Sequence, residues 1–130
     1  MSKNIRILLV DDEVDYTQLM GFWLKCKGYD IIVASDGETA IKMVQEQAPD
    51  IVFLDLKMPV MDGIETLRHI RKISKTLPVI IVTVDTAEKR FSEAGKLGTS
   101  GFFPKKGNFE NLEKLIEVAL RTHKDLKDKE

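Results

Sequence analysis

Cysteine is almost missing from this 130-residue sequence: Cys26 stands alone, so no disulfide can close within the chain and no thiolate cluster can hold zinc. Histidine is nearly as scarce. His69 and His123 lie too far apart in sequence to make a metal-ligand spacing, and each reads as a solvated surface side chain rather than a phosphotransfer group. An excess of either charge is absent too, with 20 Lys and Arg against 21 Asp and Glu and a net charge of -1. That balance supplies no basic field for a nucleic acid backbone. Long apolar runs are also lacking. Stretches such as Ile7 to Val10 and Val79 to Val82 fall far short of the roughly 20 residues that span a bilayer. Near the N-terminus, Asp11 and Asp12 interrupt any signal-peptide core. These absences suggest a cytoplasmic chain in a reducing compartment, with no membrane and no direct nucleic acid partner. What remains, 43% hydrophobic and 32% charged residues, is ordinary for one folded domain and too apolar for disorder.

Five short segments rich in β-branched or aromatic residues recur along the chain: Ile5 to Val10, Ile31 to Ala34, Ile51 to Leu54, Val79 to Val82 and Gly101 to Phe103. Most are continuously apolar rather than alternating, as expected of parallel strands covered on both faces. Helix-length stretches separate them, so the sequence reads as five βα units in a three-layer α/β/α sandwich. In the first helix, Tyr16 to Lys27, helical spacing places Tyr16, Leu19, Met20, Trp23 and Leu24 on the apolar side. Thr17, Gln18, Gly21 and Lys25 fall opposite. Phe22 lies near the polar margin, and Gly28 ends the helix. The last helix carries Phe109, Leu112, Leu115, Ile116, Ala119 and Leu120 at steps of three and four, with Asn108 as its N-cap. Beyond it the charged HKDLKDKE reads as a frayed helix end or the start of a linker. The expected division is therefore a domain over 1–123 and a tail over 124–130.

Polar residues fall at the carboxyl ends of these strands: Asp11 and Asp12 after the first, Asp55 after the third, Thr83 after the fourth and Lys105 after the fifth. Open parallel sheets bind ligands along that edge. The strand order 2-1-3-4-5, taken over from known doubly wound sheets rather than derived from these residues, makes strands 1 and 3 neighbours and brings the three aspartates together. Converging carboxylates repel unless a cation neutralises them. All-oxygen ligation with few protein donors suits Mg²⁺, with Mn²⁺ as an alternative. A lysine at the same edge makes sense beside a second anion, and a phosphoryl group on Asp55 would bridge the metal and Lys105, with the Thr83 hydroxyl as a further donor.

The motifs LLVDDE, DLKMPVMDG, PVIIVT and GFFPK stand in this order, and on them the chain resembles a receiver domain of two-component response regulators from about Lys3 to about His123. The resemblance implies a flavodoxin-like (βα)5 fold and phosphorylation of Asp55 by a sensor histidine kinase or a phosphotransfer protein. It implies that Asp12, Asp55 and the backbone carbonyl of Lys57 hold Mg²⁺, with Asp11 acting largely through water. Thr83 and Phe102 match the switch hydroxyl and switch aromatic, although Phe102 would equally suit a permanently buried strand position. Glu13 is either the acidic residue common after the pair or a surface charge. The output surface would be helix 4, strand 5 and helix 5, acting on an unidentified partner or an effector domain beyond this sequence, as a monomer or a phosphorylation-dependent dimer.

Two departures from the pattern matter. Lys106 replaces the usual proline after Lys105, so this peptide bond is expected to be trans or strained, which leaves the placing of Lys105 open. Val84 replaces a smaller residue after Thr83 and could slow entry to the site. Lys57 and Asp85, two residues beyond Asp55 and Thr83, could flank the approach of water and lengthen the phosphorylated lifetime, or be independently solvated charges. Two other functions fit the residues less well. An aspartyl-phosphate phosphohydrolase needs an acid where Lys57 stands. A flavodoxin-type nucleotide binder needs a glycine-rich loop where three acids follow strand 1.

Overall fold

Each of the five apolar segments forms a strand, and each intervening stretch forms a helix. The computed structural model describes residues 4–84 and 88–128. In order these are β1 (Arg6–Val10), α1 (Val14–Cys26), β2 (Asp30–Ala34), α2 (Gly37–Gln47), β3 (Ile51–Leu54), α3 (Gly63–Ile73), β4 (Val79–Thr83), α4 (Glu88–Leu97), β5 (Gly101–Pro104) and α5 (Glu110–Asp128). The strands pair in parallel in the order β2-β1-β3-β4-β5, as expected.

Alternation along the central strands sends successive side chains to opposite faces, which divides the core in two. Leu8, Val10, Val52, Leu54 and Ile81 pack with Ala40, Val44, Leu67, Ile70 and Ala94 from α2, α3 and α4. On the other face, Ile7, Leu9, Phe53, Ile80, Val82 and Phe103 meet Met20 and Leu24 of α1 and Leu112, Ile116 and Ala119 of α5.

The buried face of α1 is rotated from the expected one. Thr17, Met20, Gly21 and Leu24 form the buried stripe, whereas Leu19 is 61% exposed; Phe22, expected near the polar margin, is 70% exposed. Gly21 lies close against the sheet: a methyl there would make ordinary van der Waals contacts, 3.6 Å from Ile31 and 3.7 Å from Leu9, so this side of the helix suits small residues. Tyr16 and Trp23 instead flank the stripe and pack towards Phe109, with ring centroids 6.2 and 5.9 Å away. Gly28 does end the helix, with φ +97°. At α5 the Asn108 side chain accepts the Glu110 amide hydrogen bond at 3.0 Å. The helix runs on through Asp128, so the expected 123/124 boundary falls inside it.

One long side chain ties α3 to α4. Arg71, in the last turn of α3, donates from Nε to the Leu97 carbonyl at 3.0 Å, from Nη2 to the Gly98 carbonyl at 2.8 Å and from Nη1 to the Ser74 carbonyl at 3.0 Å. The carbonyls at the end of α4, which no further helical turn can satisfy, thereby gain a charged donor.

Candidate functional site

Backbone hydrogen bonds just beyond the strand ends place the key residues. The Asp11 amide donates to the Ala34 carbonyl at 3.1 Å, the Asp55 amide to the Val10 carbonyl at 3.0 Å, and the Lys105 amide to the Thr83 carbonyl at 3.3 Å. Each residue is thus the last rung of its ladder, where the side chain emerges at the carboxyl edge. The Lys105–Lys106 bond is trans, there being no cis peptide among the described residues. Lys105 reaches the acidic side without the usual proline.

Asp11 and Asp55 are held in the same way. In each, Oδ1 accepts from the amide two residues on, Glu13 at 2.9 Å and Lys57 at 3.1 Å. Their Oδ2 atoms meet Lys105 Nζ at 2.8 and 3.0 Å. Asp12 completes the cluster from an exposed position, and one carboxylate oxygen of each of the three aspartates lies within 4.8 Å of the others. Lys105 also contacts Glu13 Oε1, and its ammonium lies 5.2 Å from the centre of the Tyr16 ring. Neither residue had a settled role from sequence: Glu13 was as consistent with a surface charge, and Tyr16 was assigned only to a packing face.

Burial pushes the Asp11 carboxyl up to about 6 against the lowering effect of its Lys105 and Glu13 hydrogen bonds, with the Asp55 charge raising it further. For Lys105, burial would lower the pKa, but hydrogen bonds with Asp11, Glu13 and Asp55 outweigh it and hold the group above its ordinary range. One lysine therefore leaves the carboxylates under-neutralised. Three clustered carboxylates without imidazole or thiolate fit a hard divalent cation.

The loop after Asp55 depends on two glycine-like positions. At Gly63 an added Cβ would lie 2.2 Å from the Asp55 carbonyl oxygen and 2.5 Å from Leu56 Cα, and the Gly63 amide donates to the Leu56 carbonyl at 2.8 Å. Asp62 caps α3, its Oδ1 accepting from the Glu65 amide at 2.9 Å. Met58 and Pro59 lie in the connection between β3 and α3, which Asp62 and Gly63 close at the start of the helix. Val60 occupies the left-handed region at φ +67° and is fully exposed.

Thr83 is buried at the end of β4. Phe102 is 41% exposed, which corrects the alternative of a permanently buried position; its neighbour Phe103 fills the core instead. Val84 and Lys57 are exposed at the edge. Asp85 lies outside the described residues, so the expected Lys57–Asp85 pairing has no structural counterpart to report.

A doubly wound sheet with clustered acids and a lysine at its switch point defines a class of single-site α/β domains whose chemistry sits at one end of β1 and β3. Residues 7–117 match the model of the response regulator receiver domain, and the chain belongs to that family. It is 36% identical over 121 residues to the transcriptional regulatory protein ZraR of Escherichia coli, covering 92% of this chain but 27% of ZraR. With the alkaline phosphatase synthesis transcriptional regulatory protein PhoP of Bacillus subtilis, identity is 32% over 91% of this chain and 49% of PhoP. The chain thus spans about a quarter to a half of these relatives. Among solved structures, the chemotaxis protein CheY4 of Vibrio cholerae superposes with a TM-score of 0.85 at 30% identity, over 91% of this chain and all of CheY4.

Proposed function

We propose that this receiver domain is a phosphorylation switch in which Asp55 accepts a phosphoryl group from a phosphohistidine of a sensor histidine kinase or phosphotransfer protein. The observation that carries this reading is the setting of Asp55: buried at the end of β3, beside Asp11 and Asp12, with Oδ2 on the Lys105 ammonium. An Asp55 carboxylate oxygen forms the new P–O bond as the donor's P–N bond breaks, and the released imidazole nitrogen takes a proton from water. Lys105 and the Thr83 hydroxyl would receive the phosphoryl oxygens. Asp11, Asp12, Asp55 and the Lys57 backbone carbonyl would hold Mg²⁺, or Mn²⁺ in its place. Such an ion would supply positive charge that offsets the repulsion between these carboxylates and an incoming phosphoryl group.

The domain changes its own state and turns over no separate substrate. The surface of α4, β5 and α5 is the proposed output, with Thr83 and exposed Phe102 on its two bordering strands. Similarity to regulators named as transcriptional supports an output domain or partner in the cytoplasm, engaged by a monomer or a phosphorylation-dependent dimer. Lys57 and Val84, exposed at the mouth, together with Asp85, would slow the approach of water to the acyl phosphate. The test is intact mass after incubation with acetyl phosphate and Mg²⁺. One added phosphoryl group that disappears in Asp55→Asn is expected; incorporation undiminished in that variant would overturn the assignment.

A further inference from the structure

We propose that Glu13 is a placeholder anion, occupying the Lys105 hydrogen bond that a phosphoryl oxygen must take over. The inference rests on the phosphoacceptor reading of Asp55 and adds a positioning residue to it. An ammonium group has three N–H donors. Lys105 has three carboxylate partners, Asp11, Asp55 and Glu13. The Tyr16 ring, with its centre 5.2 Å away, closes another side of the ammonium, and the Lys105 side chain is buried. Among the described residues these partners use all three donors, so a phosphoryl oxygen that reaches the ammonium while Asp55 is still a free carboxylate must displace one of the three.

The three differ in how readily they leave. Asp11 and Asp55 are buried, and each is fixed by a backbone amide through its other oxygen. Glu13 has a 61% exposed side chain, so water replaces its contact at small cost. It also stands outside the cluster of carboxylates able to share a metal ion, which is made of Asp11, Asp12 and Asp55. Glu13 therefore competes with the phosphoryl group for Lys105 and keeps the ammonium on the acceptor side until that group arrives. It touches no reacting atom and acts only through Lys105.

Beryllofluoride, a mimic of the phosphoryl group, is the probe. Its affinity is measured calorimetrically at saturating Mg²⁺ for the unaltered chain, Glu13→Gln, Lys105→Met and the double variant. Glu13→Gln is expected to bind beryllofluoride about 2- to 5-fold more tightly, the size of one exposed charge contact, with the gain shrinking at high salt. Adding Glu13→Gln to Lys105→Met should change nothing, because a placeholder acts only through the lysine. The second readout is NMR of the Lys105 ammonium in the metal-free protein, whose hydrogens should exchange with water faster in Glu13→Gln, where the charge holding one N–H is gone. This readout decides alone if Lys105→Met binds too weakly to titrate. Unchanged or weakened affinity in Glu13→Gln, or unchanged ammonium exchange, overturns the proposal. Failure of the unaltered chain to bind beryllofluoride, or equal binding by Asp55→Asn, would instead sink the phosphoacceptor reading beneath it.

Discussion

The same substitution, glycine to alanine, should have opposite effects at two helical positions. At Gly63 the new methyl would stand 2.2 Å from the Asp55 oxygen, 2.5 Å from Leu56 Cα and 2.9 Å from the Asp55 carbonyl carbon, all backbone atoms. Ordinary contacts need roughly 1 Å more, and no rotamer change can provide it. Either the end of β3 or the start of α3 must move, which also disturbs the 2.8 Å bond from the Gly63 amide to Leu56. Overpacking costs about 1–3 kcal/mol and the bond about 1 kcal/mol, offset by about 1 kcal/mol of helix propensity. The net loss is about 2 kcal/mol. At Gly95, inside α4, nothing lies within 4 Å of the added methyl, and Gly95→Ala should gain about 0.5–1 kcal/mol. Urea unfolding followed by circular dichroism reads both, since an unchanged slope with a shifted midpoint reports stability alone. A Gly63→Ala midpoint equal to that of the unaltered chain would refute the steric reasoning. A Gly95→Ala midpoint below it would show that α4 packs against something at that residue.

Three further outcomes are expected. Val60 is β-branched, exposed and at positive φ, so Val60→Asn should stabilise the protein by about 1 kcal/mol in the same urea experiment; a loss would show that the valine side chain is engaged. Burial raises the phenols of Tyr16, to about 12, and Tyr29 above 10, so absorbance at the phenolate band should show no tyrosine ionising at its ordinary pH in the folded protein. Because the folded-state pKa of Tyr16 is the higher one, its stabilising contribution is complete below pH 10 and is lost as pH rises from 10 through about 12, which thermal unfolding across that window checks. Arg71→Ala should cost about 2 kcal/mol and speed amide exchange at the end of α4; exchange no faster than in the unaltered chain would mean that the three carbonyl contacts hold nothing.

The strands were legible because each is a short apolar block, and β3 runs from Ile51 to Leu54 as expected while the others differ by a residue at an end. The convergence of Asp11, Asp12 and Asp55 followed from strand order and is present in space. The face of α1 was misjudged because hydrophobicity ranks Leu19 above Thr17 and Gly21, whereas close approach to the sheet rewards small residues. The Lys105 contact of Glu13 was not readable, since it joins two residues 92 positions apart through flexible side chains. Nor was the left-handed Val60, a conformation that a β-branched residue gives no reason to expect.

The grip of Arg71 on Leu97 and Gly98 has a mechanical corollary for the proposed output surface. A helix fastened at one end cannot slide along its axis without breaking the fastening, but it can swing. Any displacement of α4 that preserves these bonds is a rotation about a fulcrum near Leu97, with the largest travel at Glu88, at the far end of the lever and on the side of the sheet where Thr83 and the aspartates lie.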